Sequence, residues 1–362
     1  MKKVLVAPLN WGMGHATRCV PIIETLEKLG ADIVLAGDGP VYHYFEKRFS
    51  HLELIRLPGH VVKYQSQGRW LMIPVLKGLP GFIHSFFNEH NAIKLLITKY
   101  NLGFIISDNR YGLWHREIPS ALVTHQINIR LNGFWKTGTP FVKLVTNLFF
   151  SNFDEIWIPD YASYPGLAGR LSHPRKTPSN YKYLGPLSRF TSPAPKVAHP
   201  DYDFLAIVSG PEPQRTIFEK ILVKLFHAGP FKTVIIRGLP GSREIIHKSP
   251  YLTLIPHLPD EEMHHMICHS AHLISRPGYS TLMDLRVLQR QAVLVPTPGQ
   301  PEQEYLADIH RNNPQFRIIS QEELQKLQPE NFILPDTFNN EIIFPDYSIY
   351  LKEACQSIIK LL

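Results

Sequence analysis

Short apolar runs alternate with longer stretches of helical spacing along most of the chain. Val4-Leu5-Val6-Ala7, Ile33-Val34-Leu35-Ala36, Phe104-Ile105-Ile106-Ser107, Ala121-Leu122-Val123-Thr124 and Glu155-Ile156-Trp157-Ile158 are near-continuous rather than alternating, the pattern of strands buried on both faces of a parallel sheet. Residues 16–29 lie between the first two runs, with Val20, Ile22, Ile23, Leu26 and Leu29 at mixed helical spacing and Gly30 as a stop. This is a βαβ unit. Residues 191–200 are rich in proline and small residues and lack periodicity, as a linker does. The alternation then resumes, with apolar runs at 204–208, 233–236, 252–255, 273–275 and 292–295. The pattern predicts an α/β protein with two Rossmann-like domains, 1–190 and 201–340, and a last amphipathic helix within 341–362 placed to pack back on the first domain.

A length of 362 residues agrees with two cores rather than one. The net charge of +7 permits nucleic acid, an anionic membrane surface or an anionic small substrate, and does not choose among them. No RNA-binding signature or Lys/Arg block points to nucleic acid. Cys19, Cys268 and Cys355 are widely spaced and odd in number, which fits a reducing compartment better than a disulfide framework. The first apolar run stops at Pro8, too soon for a signal peptide, and no stretch approaches the roughly 18 apolar residues of a membrane span. A cytoplasmic protein is the expectation. Residues 69–90, together with Phe134-Trp135-Lys136 and 141–150, are unusually rich in apolar and aromatic residues with interleaved Lys136 and Lys143. They suit either a helix packed in the first domain or contact with the inner membrane face and a lipid-linked acceptor.

The loops that end the strands carry the candidate chemistry, since ligands of open α/β sheets bind at the carboxyl ends of strands. Ser275-Arg276-Pro277-Gly278-Tyr279-Ser280-Thr281-Leu282-Met283-Asp284 reads as strand end, glycine turn and helix start. Val293 to Glu304 repeats the layout and brings Gln303 and Glu304. Helix amides there would hold a phosphate, and Asp284, Gln303 and Glu304 sugar hydroxyls. Ser209-Gly210-Pro211 follows the first strand of the second half and offers a similar cradle, without the ending of a P-loop. In the first half, Gly12 and Gly14 open a helix whose mouth carries His15, suited to a general base or to a simple cap, with Arg18 one turn on as an acceptor contact or a surface charge. A dinucleotide fingerprint would need a glycine where Thr17 stands, although Asp38 could imitate its acid. The His-rich run puts His265, Cys268, His269 and His272 on one helix face, which reads as a polar exterior in preference to a metal site. No metal and no cofactor are expected.

The two Rossmann halves, Gly14-His15 and the 275–304 segment together resemble GT-B glycosyltransferases. The nearest likeness is to the group of the lipid II-forming N-acetylglucosaminyltransferase and the monogalactosyldiacylglycerol synthases. That resemblance implies domains facing across a cleft, a nucleotide-sugar donor of UDP type, and a lipid-linked or glycan acceptor. It implies acceptor contacts from Gly12, Gly14 and Arg18. It implies donor contacts from Arg189, Ser209, Gly210, the backbone at Leu258, Ser275, Arg276, Gly278, Ser280, Thr281, Asp284, Gln303 and Glu304. Asp284 and Glu304 stand where the group has Glu and Gln. The reaction implied is inverting and metal-independent, with His15 or Asp108 as base. Two alternatives stay open: a nucleotide-sugar epimerase or hydrolase, and a non-catalytic binder of nucleotide sugars.

Overall fold

Fourteen strands form two sheets in the computed structural model, which describes residues 2–59, 72–128, 139–195, 197–334 and 347–362. Linker residue 196 and parts of the aromatic stretch, 60–71 and 129–138 with Phe134-Trp135-Lys136, lie outside the described residues. The chain divides into two compact units, one built from Met1–Val62, Lys77–Ser188 and Phe344–Leu362, the other carrying Arg189–Ile343.

The first unit runs β1 (Lys3–Pro8), α1 (Met13–Lys28), β2 (Ile33–Gly37), α2 (Gly39–Arg48), β3 (Glu53–Arg56), α3 (Met72–Tyr100), β4 (Leu102–Asp108), β5 (Ser120–Val123), α4 (Thr139–Phe150), β6 (Glu155–Ile158) and β7 (Tyr181–Tyr183). Its sheet is parallel throughout, in the order β3-β2-β1-β4-β5-β6-β7. The continuous apolar runs fill the middle of it, fully buried, with Ile93 of α3 packed on Leu5, Val34 and Ile105. Helix α1 stops as its sequence predicts: Gly30, at φ +80°, donates its N–H to Glu27 O and Ala31 donates to Leu26 O, a bonding pattern that needs a left-handed residue.

The second unit runs β8 (Tyr202–Ile207), α5 (Gln214–Phe226), β9 (Thr233–Ile236), β10 (Ile246–Ser249), β11 (Leu252–Ile255), α6 (Asp260–Cys268), β12 (Ser270–Ser275), α7 (Tyr279–Val287), β13 (Ala292–Leu294), α8 (Pro301–Ile309), β14 (Phe316–Ile318) and α9 (Gln321–Leu324). Its sheet order is β10-β11-β9-β8-β12-β13-β14, with only the edge strand β10 antiparallel. The last helix, α10 (Ser348–Ile359), packs against α1 of the first unit and buries Leu351, Ala354, Cys355 and Ile358. Arg189 opens the second unit rather than closing the first. The linker is pinned there as well, Ala194 N–H donating to Leu288 O at 3.0 Å.

In each sheet the strand order reverses beside its first strand, at β1/β4 and at β8/β12. These switch points are where a crevice opens at the carboxyl edge of a doubly wound sheet. Pro8 stands opposite Asp108 at the first, and Ile207 opposite Ser275 at the second.

Candidate active site

The first switch point brings together residues 93 positions apart. Gly12, at φ +76°, turns the chain from β1 into α1, and a side chain at that φ would be strained. Gly14 and His15 then form the first turn of α1, and Asp108 ends β4 beside it. His15 Nδ1 lies 2.8 Å from Asp108 Oδ1, and Arg18 Nε donates to Asp108 Oδ2 at 2.5 Å while its Nη2 donates to Oδ1. Arg18 Nη2 is also 2.8 Å from His15 Nδ1. Nδ1 can serve only one of these neighbours. A bare Nδ1 lone pair against a carboxylate oxygen would repel it, and Arg18 is already held by both carboxylate oxygens. The hydrogen therefore sits on Nδ1 and donates to Asp108, which leaves Nε2 with the lone pair.

Charge follows from burial. Asp108 is fully buried. Burial alone would raise its pKa, but Arg18 and His15 outweigh it and hold the carboxyl at about 2. The His15 pKa is lowered, by burial first and by Arg18 second, against the opposing pull of Asp108. Asp108 is therefore a fixed anion too acidic to take a proton at neutral pH, and His15 is a neutral imidazole able to take one. Arg18, expected to touch an acceptor, is 2% exposed and instead secures Asp108.

Helices α5, α6, α7, α8 and α9 all start at the carboxyl edge of the second sheet; α6 has Asp260, Glu261 and Glu262 in its first turn, α9 has a Ser320–Glu323 capping box, and α5 and α8 carry their own oxygen ligands. On α5 the Glu212 carboxylate accepts from Thr216 N–H at 3.2 Å and from Arg215 Nε at 2.6 Å, next to the exposed Ser209 and Gly210. On α8 Gln300 caps Gln303 N–H at 2.5 Å, and Glu304 accepts from Gly299 N–H at 2.7 Å. Gln303 Oε1 in turn accepts from Thr297 N–H at 2.9 Å, so both residues of the expected sugar pair brace the 297–300 loop. Helix α7 has no side-chain cap; Gly278 leads into its first turn, with Ser280 and Thr281 half-buried there. Arg189 binds Asp260 at 2.6 Å and lies 3.6 Å from Asp284. The expected phosphate cation is thus bracketed by two carboxylates, one of them the expected ribose ligand. Leu258 and Ser275 are buried, and the Ser275 hydroxyl has no hydrogen-bond partner.

Arg276 departs from its expected role as a donor contact. It is 0% exposed, with its guanidinium 3.9 Å over the Phe218 ring. Nη1 donates to Val295 O and Pro296 O at 2.9 and 3.0 Å, and Nη2 to Gln321 Oε1 at 2.6 Å. Burial lowers its pKa to about 9, still charged at neutral pH. Arg276 ties β13 to α9 and shapes the loop before α8. Arg276→Ala is expected to cost about 2–4 kcal/mol in thermal unfolding, because it strips buried acceptors of their donor. Loss of nucleotide affinity at unchanged stability would return Arg276 to the ligand.

The remaining motifs have structural partners. Asp38 is the N-cap residue of α2. On α6 the His265 and His269 rings stack at 4.0 Å and His269 bonds Asp201 at 2.9 Å, while Cys268 is buried beside His264. Among the described residues no group of three His, Cys, Asp or Glu side chains could hold a metal ion, and no helix is long and apolar enough to cross a membrane. The sequence reading missed a buried ion pair, Arg110 Nε to Glu89 Oε1 at 2.9 Å, which fixes the loop after β4 to α3. Nothing in a single sequence links two residues so far apart.

No family profile and no curated protein sequence matches the chain. Solved structures do. The calicheamicin glycosyltransferase CalG4 superimposes with a TM-score of 0.59 at 13% identity, over 99% of this chain and 95% of that one. UGT89C1 of Arabidopsis thaliana, complexed with UDP-L-rhamnose, gives 0.58 at 12% identity over 99% and 94%. The chain has the GT-B fold. MurG of Acinetobacter baumannii gives 0.50 at 12% identity over 99% and 95%, no higher than the others, so the narrower likeness to the lipid II-forming group is not singled out.

Proposed function

We propose that this protein is an inverting, metal-independent glycosyltransferase that moves a sugar from a nucleoside-diphosphate donor, UDP first among the candidates, to an acceptor hydroxyl. The observation that carries the reading is the His15–Asp108 pair, a neutral imidazole oriented by a buried carboxylate at the switch point of the first sheet. His15 Nε2 takes the proton of the acceptor hydroxyl as its oxygen attacks the anomeric carbon. The bond from that carbon to the diphosphate breaks on the opposite face, and the electron pair leaves with the nucleoside diphosphate. Asp108 stabilises the imidazolium that results, as the carboxylate of a Ser-His-Asp triad does. The N-terminus of α7, with neither a side-chain cap nor an acidic residue in its first turn, is the part of the second unit best able to receive the leaving diphosphate charge, since α5 and α8 are occupied by Glu212, Gln300 and Glu304, α6 carries Asp260, Glu261 and Glu262 in its first turn, and α9 is closed by Ser320 and Glu323. A solved relative in fold is complexed with UDP-L-rhamnose, which supports the choice of donor class.

Millimolar UDP is expected to raise the unfolding temperature by linkage, and dUDP to raise it less if Asp284 meets the ribose. In Asp284→Ala the two nucleotides should become equivalent. A panel of nucleoside diphosphates that leaves the unfolding temperature unmoved would sink the donor reading. A UDP/dUDP difference that survives the substitution would remove Asp284 from the ribose.

A further inference from the structure

Arg189 of the second unit lies between two carboxylates that it does not hold equally. Its Nη1 donates to Asp260 Oδ1 at 2.6 Å, whereas its Nε lies 3.6 Å from Asp284 Oδ2, beyond the length of a good hydrogen bond. All three side chains are mostly buried, so the difference is set by the fold rather than by solvent.

Both ends of the stronger bond are anchored. Asp260 is the first residue of α6, where the helix dipole favours an anion. Glu261 and Glu262 share that turn but are exposed, while Asp260 is buried. Arg189 has little room to leave. The next side chain, Phe190, is buried beside His264 of the same helix, ring centroids 5.5 Å apart, and Ala194 is tied to the end of α7 through Leu288 O. The guanidinium therefore stays within reach of both carboxylates. Arginine pairs best with a carboxylate side-on, through two parallel N–H donors. The Asp260 bond holds Arg189 short of that pairing with Asp284. A carboxylate has about four lone-pair directions and can serve a ribose hydroxyl beside other partners, but a side-on arginine would take one on each oxygen.

We propose that Asp260 is a positioning residue of the donor site, holding Arg189 back from Asp284 so that the Asp284 carboxylate receives the ribose hydroxyl of the nucleotide. The inference rests on the reading of Asp284 as the ribose contact and adds the residue that sets it. Asp260 touches no substrate in this account. It acts by deciding which carboxylate the one nearby cation serves.

Calorimetric titration of the full-length protein with UDP and dUDP tests this. The readout is the ratio of the two affinities, in which a general loss of nucleotide binding cancels. In the parent UDP should bind about tenfold more tightly than dUDP, the effect of one hydrogen bond to a charged group. In Asp260→Ala the guanidinium closes on Asp284, and the ratio should fall to about one. Combining Asp260→Ala with Arg189→Met removes the competing cation and should return the ratio to its parental value, a rescue that a merely structural role of Asp260 would not give. Arg189→Met alone should also keep the parental ratio, and this variant decides if Asp260→Ala fails to fold. A parental ratio in Asp260→Ala, a ratio that stays low in the double variant, or a ratio lost in Arg189→Met alone would each overturn the proposal while leaving the ribose reading in place. A parent that binds UDP and dUDP alike would overturn both.

Discussion

Replacing His15 by alanine is expected to lower sugar transfer by about 10²–10⁴-fold while leaving the unfolding temperature close to that of the parent, the usual loss when a positioned general base is removed. The side chain is 12% exposed and has one carboxylate partner, so its removal leaves Asp108 still bound to Arg18 and opens little core. The pH profile discriminates further. A base must be unprotonated, so kcat/KM should fall on acidification through the His15 pKa. That pKa is lowered by burial and Arg18, which places the acid limb below the ordinary histidine value of 6.5. Asp108→Asn takes away the charge that favours the imidazolium, so it should push the limb further down and lower the plateau as well. If His15→Ala transfers sugar at the parent rate, or the acid limb lies above 6.5 in the parent, His15 is not the base.

That assignment could only be half made from the sequence. Gly12 and the polar residues after a buried strand marked the mouth of α1, and His15 was legible there because βα loops have a fixed place relative to the sheet. Asp108 was legible only as a rival base at the end of its own strand and not as the partner of His15, since the His15–Asp108 contact depends on β1 and β4 being neighbours, a matter of strand order across 93 residues. The same limit explains Arg18, whose position one turn along α1 suits a surface cation equally well until Asp108 is seen beneath it. Strands buried on both faces, such as Val4-Leu5-Val6-Ala7, announced themselves by continuous apolar runs. The edge strands β3, β7, β10 and β14 are three or four residues long and partly exposed, so they carry no such signal. In the second unit the glycine turn at Gly278 was read correctly as a helix start, whereas the direction of Arg276 was not. An arginine after a strand can point to ligand or to core, and the carbonyls of Val295 and Pro296 that draw it inward belong to a different loop.

Asp108→Ala should cost the fold about 3–5 kcal/mol, because it leaves the Arg18 guanidinium buried without its anion. Arg18 is 2% exposed and loses the acceptor of both its Nε and Nη2 donors. Against a total stability of about 5–15 kcal/mol this is a large fraction, and soluble yield should drop with it. The linkage has a definite sign. The Asp108 pKa falls from 3.8 unfolded to about 2 folded, so its stabilisation is present above 3.8 and is lost as pH falls toward 2. That shift corresponds to about 2 kcal/mol, which the parent should lose over this range and Asp108→Ala should not. Removing both charges at once, in Asp108→Leu with Arg18→Met, should recover much of the stability, since no buried ion is then stranded. It should not recover transfer, because His15 Nδ1 still lacks the carboxylate that fixes its tautomer. Denaturant unfolding of the two variants, set beside their transfer rates, separates the structural role of the Arg18–Asp108 pair from the orienting role of Asp108. A double variant that is both stable and active would show that Asp108 serves the fold alone.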